Sequence, residues 1–141
     1  MGGGIVGQFL RHSGHAGRVK AIVLDAPAVD FSAIVIAEMR RMSIPLAGLL
    51  AGGGIRLMAS RTGLDFAGAD VTQEFAAFQG PLFIAHGRAD SIVPVATTDR
   101  LVAGRRGLTD YLRTGADHIQ SWKEDPVRFD AAFLAFLRSL P

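Results

Sequence analysis

Two short apolar runs do most to limit what this chain can fold into. Residues 19–24 read Val-Lys-Ala-Ile-Val-Leu and stop at Asp25-Ala26-Pro27, while residues 82–85 read Leu-Phe-Ile-Ala, follow Gly80-Pro81 and stop at His86-Gly87. Each run has the length and residue types of a strand, and each is bounded by residues that end one. A weaker third run covers residues 108–114 and holds the single tyrosine, Tyr111. Apolar runs of this kind, separated by helical sequence, predict a parallel sheet covered on both faces.

The segments between them carry helical signals. Ile5, Val6, Phe9 and Leu10 recur at helical spacing, which predicts a helix over residues 4–11 that ends at Ser13-Gly14. Asp70 and Gln73 have the spacing of a capping box for a helix over 71–78, and Pro94 suits the first helical position before 95–105. Asp125-Pro126 opens the last helix, whose Phe129, Phe133, Phe136, Leu137 and Leu140 form one apolar stripe that should dock on the sheet. More than fifty residues separate the first two strands, with helices expected over 32–42 and 46–59. That is far beyond an ordinary loop. Residues 28–68 are readable as a cap-like helical insertion over a site or as lengthened crossover helices, and both readings remain open.

Composition sets the class. A chain of 141 residues that is 49% hydrophobic has the material for one domain, taken here as residues 1–141. Fifteen basic residues, thirteen of them arginine, face thirteen acidic ones, and no basic run exceeds the pairs Arg40-Arg41 and Arg105-Arg106. The chain therefore lacks the footprint of a nucleic-acid binder. The absence of cysteine rules out disulfides and zinc-thiolate sites and fits a cytoplasmic location. The least polar window, residues 43–55, is short and broken by Pro45, Gly48, Gly52, Gly53 and Gly54, so no membrane span is expected. Residues 1–17 do not supply the ordered parts of a secretory signal.

The chemistry gathers at two strand ends. His86-Gly87-Arg88-Ala89-Asp90 follows the second strand directly, and Gly115-Ala116-Asp117-His118 follows the third. Both loops then lie at the carboxyl edge of the sheet, where open α/β sheets place their sites. An acid and an imidazole on neighbouring strand ends can meet, and a carboxylate bonded to one ring nitrogen fixes the tautomer and orientation that a general base needs. His86 and Asp117 are read as bystanders, with His86 plugging a strand end and the Asp117 side chain aimed elsewhere. His12 and His15 are expected in solvent, and Trp122 is expected to anchor the His118 loop by packing.

With these loops in place, the chain resembles the C-terminal portion of an α/β-hydrolase over nearly its whole length. The resemblance implies a partial α/β-hydrolase fold of about three parallel strands with flanking helices and a cap-like insertion. In the order Ser, acid, His, it implies Asp90 as the acid and His118 as the base. It further implies that Met1-Gly2-Gly3-Gly4 is the back half of a nucleophile elbow, so that a Gly-x-Ser would precede Met1 and the Met1 backbone N–H would serve the oxyanion hole. The substrate would be a small-molecule ester or amide, with no metal and no organic cofactor. None of Ser13, Ser32, Ser43, Ser60, Ser91, Ser121 or Ser139 lies in a G-x-S-x-G context, so the chain is expected to be a fragment without its nucleophile and inactive by itself. What would be the outer strand, residues 19–24, is expected to present an exposed apolar edge.

Two rival readings come from other classes. Gly2-Gly3-Gly4-Ile5-Val6-Gly7 satisfies G-x-G-x-x-G, and Asp25 ends the next strand near the place of a ribose-binding acid in a dinucleotide fold. The other rival is a non-catalytic binding or interaction module that uses the insertion and the sheet edge.

Overall fold

The computed structural model describes residues 2–63 and 65–140. Its elements run α1 (Gly2–His12), β1 (Ile22–Asp25), α2 (Phe31–Arg41), α3 (Ala47–Thr62), α4 (Thr72–Ala77), β2 (Leu82–Gly87), α5 (Val95–Gly104), β3 (Thr109–Thr114), α6 (Ser121–Glu124) and α7 (Pro126–Ser139), with short 3₁₀ turns at Ala16–Arg18 and Ala67–Ala69. The three strands form one parallel sheet in the order β1-β2-β3. Register places Ile22 opposite Leu82, and Leu82 opposite Thr109. The α/β class with three parallel strands and flanking helices is therefore the observed architecture.

Strand alternation divides the core between the two faces. Ile22, Leu24, Leu82 and Ile84 point to one side, where they pack with Val29, Val71, Phe75 and Leu101. Phe83, Ala85 and Leu112 point to the other, against Phe136. Phe83 sits at the centre of an aromatic group, with ring centroids 5.8, 5.5 and 5.6 Å from Phe129, Phe133 and Phe136. The stripe on α7 thus docks on the sheet as expected, except that Leu137 lies outside the packed cluster and is left partly exposed.

Several boundaries differ from the sequence reading for physical reasons. Pairing of β1 starts only at Ile22, because Val19 closes the preceding 3₁₀ turn through its N–H to Ala16 O. The Asp70–Gln73 box does not form as a pair. Asp70 Oδ1 accepts from Thr72 N at 2.9 Å, but Val71, fully buried with its N–H on Val29 O, takes the cap position. Pro94 is likewise the cap residue of α5 and not its first helical residue. At α7, Asp125 caps as expected by accepting from Arg128 N, with Pro126 following.

One arginine holds the amino-terminal end of the sheet together. Arg105 Nη1 donates to Phe75 O and Phe78 O at 2.6 Å each, Nη2 to Gly80 O at 2.7 Å and Leu108 O at 3.3 Å, and Nε to Thr109 Oγ1 at 2.7 Å. The guanidinium so satisfies carbonyls at the end of α4 and at the entries to β2 and β3. Arg105→Ala is expected to destabilise the fold by about 3 kcal/mol, since these acceptors lose a common partner. A shift of the urea midpoint measures this, and Arg105→Lys should rescue little, because an ammonium cannot reach the same spread of acceptors.

The long connection after β1 holds α2 and α3, which pack on each other. Phe31 and Phe66 stack with centroids 5.8 Å apart, and a cavity of about 310 Å³ between the helices is lined by Val35, Met39, Leu50, Ile55 and Met58 with those rings. At the free side of β1, Val23 is half exposed beside Ile5 and Phe9 of α1, so the edge expected from the sequence is present among the described residues.

Candidate active site

Asp90 lies in the turn after β2, and the turn is built around its carboxylate. Oδ1 accepts from Ile92 N at 2.9 Å and Val93 N at 2.7 Å, which bends the chain back toward α5. Oδ2 faces two imidazoles, His118 Nδ1 at 2.8 Å and His86 Nε2 at 3.1 Å. The Asp90 side chain is fully buried, whereas His118 keeps about a fifth of its side-chain surface in solvent. The sequence-derived pair is thus in direct contact, on the ends of adjacent strands.

The hydrogen-bond partners assign the tautomers. His86 Nε2 lies between Asp90 Oδ2 and Val93 O at 3.2 Å, both acceptors, so it carries the hydrogen, and Nδ1 accepts from the Thr98 hydroxyl at 2.7 Å. His86 does plug the strand end, but it also holds the carboxylate from behind. His118 presents Nδ1–H to Asp90, which leaves Nε2 as the acceptor facing outward. An imidazole oriented in this way by a buried carboxylate can take up a proton at its other ring nitrogen.

The second loop is tied to the first through a residue the sequence reading set aside. Asp117 Oδ1 accepts from both the N–H and the hydroxyl of Ser91 at 2.8 Å, and from His118 N at 2.7 Å. These donors hold the Asp117 carboxyl below the usual carboxylate range. Asp117 therefore points away from the His118 ring, as expected, yet it joins the two loops. Gly87 completes the junction. A Cβ there would stand 1.9 Å from Ala116 O, so only glycine lets β2 pass this close to the His118 loop. Ile119, next to His118, has a φ of 51°, a conformation that a β-branched residue rarely adopts. Such strain gathers at functional loops.

Asp25 is the residue the sequence analysis missed as a member of this cluster. It ends β1 opposite Ala85, and its carboxyl lies by the Ser121 hydroxyl and near His86, His118 and Asp90. Loss of water around it raises its pKa. The available signal was its place at a strand end on the same edge. Trp122 is half exposed and its indole N–H donates to Asp130 at 3.1 Å, which ties α6 to α7. His12 and His15 are exposed as expected.

Met1 lies outside the described residues, so its expected oxyanion role has no geometry to report. The start of α1 does reach this edge: a Cβ on Gly3 would lie 2.9 Å from Pro27 Cβ, just past the end of β1. Among the described residues no serine hydroxyl is bonded to His118. Ser91 is bound to Asp117, and Ser121 is buried with its Oγ 3.2 Å from Thr114 Oγ1. The dinucleotide reading fails on local structure. Gly2 and Gly4 are already helical and form no turn ahead of α1, and Gly7 is small because Val71 packs where its Cβ would stand, at 2.3 Å.

No family model matches the chain, and no curated protein matches its sequence. Solved structures do match. An esterase from Pyrococcus furiosus superposes with a TM-score of 0.66 at 17% identity over 99% of this chain and 50% of its own. An esterase from a Rhodococcus species gives 0.61 at 19% identity over 99% of this chain and 62% of its own. A hydrolase from Pseudomonas aeruginosa gives 0.60 at 16% identity, over 96% of this chain and 61% of its own. The chain therefore spans about half to three fifths of the length of these structures.

Proposed function

We propose, from a chain that has the fold of part of an α/β-hydrolase, that it is the acid-and-base portion of a serine hydrolase acting on a carboxylic ester or amide of a small molecule. The observation that carries this reading is the 2.8 Å contact of His118 Nδ1 with the buried Asp90 carboxylate, on adjacent strand ends, with His118 Nε2 left outward. In this reading a serine supplied by sequence before Met1 attacks the carbonyl carbon. His118 Nε2 takes the serine proton and returns it to the leaving alkoxide or amine, while Asp90 holds the ring and stabilises the imidazolium. The backbone N–H of Met1, the residue before Gly2 in sequence, contributes to the oxyanion site in this reading, and a second donor comes from elsewhere. Residues 28–68 form a cap beside the site, because α2 meets the Asp90 turn where Ile34 and Glu38 face Ser91 and Ile92.

The chain as given should then be catalytically silent. With p-nitrophenyl butyrate as probe, the purified chain is expected to show no turnover above buffer and no labelling by a fluorophosphonate. A version extended by an apolar strand and a Gly-x-Ser turn ahead of Met1 is expected to gain both. Robust turnover by the unextended chain would sink the reading, as would an extended chain that folds but stays unlabelled.

A further inference from the structure

We propose that the outer face of α3 docks on an anionic lipid surface. Helix α3 is apolar on two sides. Its inner side buries Ala47 and Ala51 and lines the cavity against α2 with Ile55 and Met58. Its outer side leaves Leu49 and Leu57 at 73% and 52% exposure, with Leu46 at 72% just ahead of the helix, and Leu50, which also lines the cavity, stands half exposed at the border between the two sides. With Gly53 between them, these helical positions fall within an arc about 100° wide, a continuous aliphatic stripe. A contiguous exposed aliphatic stripe on a folded chain marks a surface that something covers.

Charge selects the cover. No aspartate or glutamate occurs from residue 39 to residue 64, while Arg40, Arg41, Arg56 and Arg61 are all exposed. Arg41 is bound to Glu38 through two hydrogen bonds, but Arg40, Arg56 and Arg61 form no ion pair among the described residues. Helical spacing puts Arg56 and Arg61 on opposite borders of the leucine stripe. A second copy packed on this face would bring like charges together. A surface of anionic headgroups takes the guanidinium groups while the leucines enter the acyl boundary, with the helix lying in the interface plane. No helix among the described residues is long and apolar enough to cross a membrane, so the contact is one of lying on the surface. Neither Asp90 nor His118 belongs to α3, so docking through this face is separate from hydrolysis.

Flotation of the full chain with vesicles tests it, using phosphatidylcholine alone or mixed equally with phosphatidylglycerol. Binding is expected to the mixed vesicles and to weaken as salt is raised. Arg56→Gln and Arg61→Gln should each weaken it by about fivefold. The exposed pair Leu49→Ser with Leu57→Ser should weaken it at least about tenfold with an unchanged circular dichroism spectrum. Equal binding to both vesicles, or binding to neither, overturns the proposal. So does concentration-dependent dimerisation that the leucine variant abolishes in a chain that ignores vesicles, since a second copy then covers the face.

Discussion

Replacing His118 by alanine in a chain extended through the preceding strand and a Gly-x-Ser turn is expected to lower kcat for ester hydrolysis by about a millionfold. The size follows from the role. Without a base the serine hydroxyl is a weak nucleophile, and the leaving group departs without a proton. Asp90→Asn should cost less, about ten-thousandfold, because the ring remains and only its tautomer and the stabilisation of its cation are lost. In this molecule the asparagine would still accept from Ile92 N and Val93 N through its oxygen, so the turn should keep its shape. Its amide would then face His118 Nδ1 and His86 Nε2 as a donor, and His118 would turn its acceptor inward. Steady-state kinetics on the folded variants separate the cases: both losses should appear in kcat with KM little changed. A similar loss from His86→Ala alone, with Asp90 still in place, would make the proposed division between base and support wrong.

The second large effect is on stability. Gly87→Ala is expected to lower the unfolding free energy by about 3 kcal/mol or more, because the new methyl group meets backbone and not a side chain that could rotate away. The obstructing atoms belong to Ala116, two residues before His118. Relief requires β2 and β3 to part at their carboxyl ends, which strains Arg88 N to Thr114 O at 2.9 Å and Ala89 N to Ala116 O at 3.1 Å. The Asp90–His118 contact would be lost with them. Gly104→Ala is the matched control, since nothing lies within 4 Å of its Cβ position and it closes α5. That change should be neutral or stabilising by up to about 1 kcal/mol. Urea unfolding should give Gly87→Ala a midpoint well below the parent's and Gly104→Ala one at or above it.

The strands and helices were legible because their cores obey simple periods. Phe129, Phe133 and Phe136 announced α7, and the runs before His86 and Asp25 announced the buried strands. The meeting of Asp90 with His118 could be anticipated from strand-end position alone, since adjacent parallel strands bring their following loops together. What escaped the sequence depends on three-dimensional neighbours. Asp117 ties two loops through Ser91, twenty-six residues away, and no local pattern marks such a pair. Arg105 gathers carbonyls from four separate residues, and backbone acceptors leave no trace in sequence. The bond of the Trp122 indole to Asp130 in the next helix also leaves no local pattern in sequence. The Asp70–Gln73 spacing misled because burial of Val71 decides where α4 begins.

The shielded imidazole behind Asp90 has a practical use. The Nε2 hydrogen of His86 has no exposure to solvent and two acceptors to hold it, so it should exchange slowly and give a resolved downfield signal in a proton magnetic resonance spectrum. That signal would report on the Asp90 turn alone. Followed during warming, its broadening ahead of the methyl resonances of Leu82 and Ile84 would show the turn opening while the sheet stays closed, which makes the site's assembly visible without a substrate.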